Sequence, residues 1–120
     1  MAENSNLPDK RELLEAAYQE FNARKLEAVL LRLHPNVEWA NGMEGGHVFG
    51  REGVRAYWTR QWAILDPHVE PLAMHVNDEG GLTVEVHQVV RDLNGTVLVD
   101  TTVRHVYRFA DGFIQRMDIA

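Results

Sequence analysis

A chain of 120 residues, 45% hydrophobic and 25% charged, is long enough for one core and too short for a second, and this composition excludes wholesale disorder. Twelve Lys and Arg against eighteen Asp and Glu leave a net charge of −6, with the basic residues scattered, which makes nucleic acid and anionic membrane poor partners. The lack of cysteine removes a disulfide framework, a thiol nucleophile and a thiolate metal site, and is compatible with a reducing cytoplasm.

Residues 1–6 are polar and acidic, without the basic and apolar regions of a signal peptide, and read as a flexible tail ahead of a single domain over residues 7–120. No apolar run approaches membrane-spanning length, so a cytoplasmic protein is expected. Ser5 or Asn6 can cap a first helix with Pro8 in its first turn, and Leu13, Leu14, Ala17, Tyr18 and Phe21 then recur at helical spacing. Asn22-Ala23-Arg24 is a break, after which Leu26, Val29, Leu30 and Leu33 describe a short second helix ended by His34-Pro35-Asn36.

Residues 37–41 alternate as a brief strand with Val37, Trp39 and Asn41 on one face. Residues 42–47 hold three glycines, which suits a mobile loop. From Gly50 a third helix carries Val54, Tyr57, Trp58, Trp62 and Leu65 inward and is terminated by Asp66-Pro67. Alternation then replaces helical period, and strands are expected at 69–77, 82–92, 96–109 and 113–119, joined by turns at 78–81, 93–95 and 111–112. Three helices followed by a meander make an α+β domain in which helices cover one face of an antiparallel sheet.

Along the longest strand Val103, His105, Tyr107 and Phe109 form one largely apolar row, with Arg104 and Arg108 on the other face. His105 is its polar member, and an unpaired buried polar group costs roughly 1–3 kcal/mol. It is therefore either a polar anchor facing a cavity or a core histidine bonded to a backbone carbonyl or to Tyr18. His68, His75 and His87 are assigned to solvent or to a dimer contact. Asp118 alternates with Met117, and only one of the two can face inward.

No His-x-x-x-His pair occurs on a helix, so no metal is expected; the glycines of 42–46 are not followed by a phosphate-loop lysine, and Ser5 is the only serine. No cofactor is implied.

The order of elements, with Phe21-Asn22-Ala23, Val37-Glu38-Trp39, Phe49-Gly50-Arg51-Glu52-Gly53-Val54 and the run from His105 through Gly112, resembles the SnoaL-like branch of the nuclear transport factor 2-like superfamily, from about Leu13 to Ile119. The resemblance implies a strongly curved, cone-shaped antiparallel sheet closed by three helices around an apolar pocket, and a homodimer packed through the outer sheet face. It also implies a range of functions, since this scaffold hosts isomerases, cyclases, dehydratases, epoxide hydrolases and non-enzymatic modules. Laid on the ketosteroid isomerases, the catalytic carboxylate falls at Trp39, the oxyanion-stabilising acid at His105, and the oxyanion tyrosine at Ala17 beside Tyr18. An indole cannot abstract a proton. The Arg-x-Asp of the epoxide hydrolases is also missing, because Arg104 is followed two residues later by Val106. A second pocket histidine of the dehydratase kind would have to be His47, leaning over the mouth.

The expectation is thus a small, mostly apolar ligand in the cone, with or without cofactor-independent proton transfer of isomerase, cyclase or dehydratase type. His105 and Tyr18 are the candidate catalytic residues. Trp39, Asn41, Tyr57, Trp58, Val103, Tyr107 and Met117 are the candidate lining, each of which can instead be plain core. The alternative is an association module whose pocket is filled by its own side chains.

Overall fold

A computed structural model describes the backbone of residues 2–120 and the side chains from Asp9 onward. In chain order the elements are helix α1 (Ala2–Asn22), a short helix α2 (Leu26–Leu30), strands β1 (Leu33–Ala40) and β2 (His47–Phe49), helix α3 (Gly50–Ile64), and strands β3 (Leu65–Val76), β4 (Leu82–Asp92), β5 (Val97–Ala110) and β6 (Phe113–Ile119). The strands make one sheet in the order β2-β1-β6-β5-β4-β3. Every pair is antiparallel except β1 with β6, so the expected antiparallel sheet contains one parallel seam.

Four of the five ladders contain a register shift, at Leu33/Glu38, Pro71/Ala73, Val90/Arg91 and Arg108/Phe109. Each shift bends its strand and adds local twist, and together they coil the sheet into an open cone. The concave side is filled by Leu14, Ala17 and Tyr18 from α1, Val29 and Leu30 from α2, and Val54, Tyr57 and Trp58 from α3. Trp58 is the hub of an aromatic cluster, meeting Trp39 and Phe21 edge-on at 5.3 and 5.2 Å and stacking on Trp62 at 5.9 Å.

The β5–β6 turn follows its chemistry closely. Asp111 and Gly112 both take positive φ, 56° and 82°, as a two-residue hairpin turn of the primed type requires. Gly81 has a different reason to be glycine: a Cβ there would lie 1.9 Å from the Tyr107 carbonyl oxygen, so the end of the β3–β4 turn can touch β5 only without a side chain.

Several expected boundaries move. Helix α1 starts at Ala2, ahead of the cap expected at Ser5 or Asn6; beyond that helical backbone, the tail expected over 1–6 lies outside the described residues. Helix α2 ends at Leu30, and Leu33 to Pro35 belong to β1. Pro35 is tolerated because the strand leaves its ladder between Leu33 and Glu38, where no N–H is needed. Strand β3 begins at Leu65 and runs through Pro67 and Pro71, residues compatible with a strand only because β3 is a sheet edge. Strand β2 is three residues long, too short to show alternation, and it takes His47 out of the expected loop.

Candidate functional site

Two rows of inward side chains cross the concave face. Trp39, Met117, Tyr107 and Leu82 lie opposite one another on β1, β6, β5 and β4. One row along, Ile119, His105, Val84 and Met74 do the same on β6, β5, β4 and β3. Between these rows and the helices lies a cavity of ≈ 560 Å³, lined by Tyr18, Phe21, Trp39, Tyr57, Trp58, Val103, His105, Tyr107 and Met117 among others. Its polar lining consists of hydroxyl, imidazole, indole and amide groups, the amides being Gln61 and Gln88, and among the described residues no Asp, Glu, Lys or Arg contributes. A more open cleft of ≈ 730 Å³ lies outside, between α1 and the β5–β6 turn, with Asp9, Lys10, Glu12, Arg32 and Asp111 on its walls. Its Arg32 is already held by Glu20, so the interior cavity is the better-formed site.

The polar centre of the cavity wall is a chain of three groups. The Tyr107 hydroxyl lies 2.8 Å from that of Tyr18, which lies 2.8 Å from Nδ1 of His105. Tyr18 also stacks on the imidazole, with centroids 5.9 Å apart and planes 11° from parallel. Proton accounting decides the direction. If Tyr107 donates to Tyr18 and Tyr18 donates to Nδ1, both phenolic protons are used. If Nδ1–H donated to Tyr18, one of the two phenolic protons, that of Tyr18 or that of Tyr107, would have no acceptor among the described residues, at a cost of roughly 1–3 kcal/mol. The network therefore assigns His105 the tautomer with its proton on Nε2.

Burial holds all three groups neutral. Desolvation pulls the His105 imidazole down from 6.5 to about 4. It pushes the Tyr107 hydroxyl up, and it pushes Tyr18 well above the usual phenol range with further help from Tyr107.

Of the residues singled out from the sequence, Tyr18, Trp39, Tyr57, Trp58, Val103, His105, Tyr107 and Met117 border the cavity. The inward choice at the end of β6 is Met117, which is buried, while Asp118 faces the other way and meets His47 at 2.7 Å and Arg116. His47 thus belongs to the convex face and cannot partner His105. Asn41 is a further correction: it is absent from the cavity wall, because its Oδ1 accepts the N–H groups of Met43 and Glu44 and its Nδ2 donates to Glu44. The loop expected to be mobile is tied down by these bonds, by Arg60 to Glu44 at 2.9 Å and by the Gly42 N–H donating to the Tyr57 hydroxyl at 3.1 Å. His75, exposed, and His87, half-buried, pair across strands with Glu85 and Asp100, and His68 is exposed.

Sequence reasoning missed Gln61 and Gln88. Signals for both existed: Gln61 lies one helical turn after Tyr57, and Gln88 shares the parity of Val84, Val86 and Val90. Phe21 and Met43 also join the wall, Met43 only because the loop folds back over it.

The model of the SnoaL-like domain matches residues 14–117, and the chain belongs to that family. No curated protein matches it. Among solved structures, TerC co-crystallised with polyporic acid is 25% identical with a TM-score of 0.80, over 92% of this chain and 89% of that one. SalBIII, an epoxide hydrolase/cyclase-like enzyme with a role in pyran ring formation in the polyether salinomycin, is 17% identical with a TM-score of 0.78, over 93% and 89%. A Mycobacterium tuberculosis protein in complex with estradiol-17β-hemisuccinate is 14% identical with a TM-score of 0.77, over 90% and 89%. At these identities the last two speak for the fold. Among the described residues no group of three potential ligands gathers as a metal site would require, and no helix is long and apolar enough to cross a membrane.

Proposed function

We propose that this SnoaL-like domain binds one small, mostly apolar molecule in the interior cavity and that it works as a homodimer in the cytoplasm. The observation that carries the reading is a ≈ 560 Å³ space walled by aromatic and aliphatic side chains with a few convergent polar groups, the usual make-up of a small-molecule pocket. It supports a ligand site over an association module with a filled interior. Structures of the same fold hold polyporic acid and estradiol-17β-hemisuccinate, so both belong in a test panel. Any turnover would be cofactor-independent proton transfer of isomerase, cyclase or dehydratase type, with His105 and Tyr18 as the candidate residues on the cavity wall.

A thermal-shift screen with steroid-like, polyketide-like and terpenoid compounds tests the reading. A ligand that binds only the folded state adds about 2.7 kcal/mol at a hundredfold excess over Kd. At least one class should raise the melting temperature, and a flat response across the panel overturns the proposal. The dimer is supported by the convex face of β4 and β5, where Glu85, His87, Val89, Thr102 and Val106 mix polar and apolar character as an isologous contact needs. Light scattering should return twice 13.7 kDa at micromolar concentration, and the mass of a single chain refutes it.

A further inference from the structure

We infer that the occupant of the cavity is an uncharged molecule presenting an acceptor oxygen, a ketone or similar carbonyl, to two donors, Nε2–H of His105 and the hydroxyl proton of Tyr57, and that His105 acts as a neutral donor and not as a base. This rests on the ligand-binding reading above and narrows it to a chemical class.

The hydrogen-bond network carries the first half. Nδ1 of His105 is occupied by Tyr18, and Tyr18 by Tyr107, so the ring's remaining nitrogen bears the proton. Nε2 has no partner among the described residues. It is not sealed either, since the only described buried polar side-chain atom both sealed and unpaired is Nε1 of Trp62. A lone pair on Nε2, which a general base needs, is missing in this tautomer. The two hydroxyls behind the ring reinforce the donor, because each bond in a relay polarises the next.

Tyr57 carries the second half. Its oxygen accepts the Gly42 N–H at 3.1 Å, and its own proton has no acceptor among the described residues, although the side chain borders the cavity. The two donors adjoin one stretch of wall. Ile119 stands opposite His105 across the β5–β6 ladder, and a Cβ on Gly42 would lie 3.4 Å from the Ile119 side chain and 3.9 Å from the Tyr57 hydroxyl. Among the described residues no cation lines the cavity to pair with a carboxylate ligand, and no anion to pair with an ammonium. Desolvation keeps the imidazole uncharged at neutral pH, in agreement with this assignment.

Two measurements test the inference on the full chain. Long-range proton–nitrogen correlation spectra of ¹⁵N-labelled protein read the tautomer directly, and a protonated Nε2 at His105 is expected; a protonated Nδ1 overturns the inference whatever binds. Affinities are then compared for matched probes, 9-fluorenone against fluorene and 1-tetralone against tetralin. The ketone of each pair should bind about tenfold tighter, the return of a well-made hydrogen bond. The infrared carbonyl stretch of bound fluorenone should fall below its position in hexane. His105→Phe should bring the ketone-to-hydrocarbon ratio to about one, Tyr57→Phe should lower it in part, and His105→Gln, which keeps an N–H, should restore some of it. Equal binding of ketone and hydrocarbon overturns the donor assignment and leaves the apolar pocket standing. No binding of any probe overturns both.

Discussion

Acidification from pH 7 to pH 4 should cost this domain about 3 kcal/mol through His105 alone. The ring lies on the buried face of β5 with Val84 and Ile119 opposite it, Tyr18 stacked over it and no carboxylate among its described hydrogen-bond partners. Burial therefore lowers it from 6.5 to about 4 without a compensating charge, a gap of roughly two and a half units at about 1.36 kcal/mol each. The sign follows from which state takes the proton. Between pH 6.5 and about 4 the unfolded chain protonates this histidine and the folded chain does not, so stability falls as pH drops through that window. Above it the contribution is present in full. Urea denaturation at stepped pH on the wild type and on His105→Phe isolates the effect, since the substitution removes this one ionisable group and leaves every other in place. The wild type should lose about 3 kcal/mol more than the variant between pH 7 and pH 4. Parallel stability curves, or a His105 NMR titration centred near 6.5, would refute the reasoning.

Gly81→Ala should destabilise by ~3 kcal/mol or more in urea denaturation, because the new methyl meets backbone on β5 and not a side chain that can rotate away; a loss under roughly 0.5 kcal/mol contradicts the close approach. Tyr18→Phe should cost roughly 1–3 kcal/mol by unpairing both the Tyr107 proton and Nδ1 of His105, whereas Tyr107→Phe leaves the Tyr18 to His105 bond intact and should cost less. The reverse order of the two melting temperatures breaks the assigned direction of the relay. Asn41→Ala removes three bonds that hold the loop and should cost about 1–2 kcal/mol, with faster amide exchange at Met43 and Glu44 as the local signature; unchanged exchange there counts against that role.

Much of the site was legible in the linear pattern. Strict alternation on β5 put Val103, His105 and Tyr107 on one face, and helical spacing put Tyr18 and Tyr57 toward the core, because side-chain direction within a single element follows from its period. Turn residues located the β5–β6 hairpin for the same local reason. The parallel seam of β1 with β6, the edge position that lets Pro67 and Pro71 sit in a strand, and the placement of β2 depend on partners distant in the chain, and no local period encodes those. Asn41 shows the limit most directly: parity aimed it at the pocket, and the loop that follows captured its side chain first. Met117 and Asp118 were indistinguishable by alternation alone, and the choice came from the register of β6 between β1 and β5. The sequence by itself thus determined the fold class, the inward rows and the polar residue within them. Only the tertiary structure decided that a cavity remains between those rows and that Tyr107 and Tyr18 stand in line behind His105. A proton's position on the ring depends on contacts among α1 and β5 that lie 87 and 89 positions apart in the chain, and such contacts exist only once the sheet has coiled around the helix.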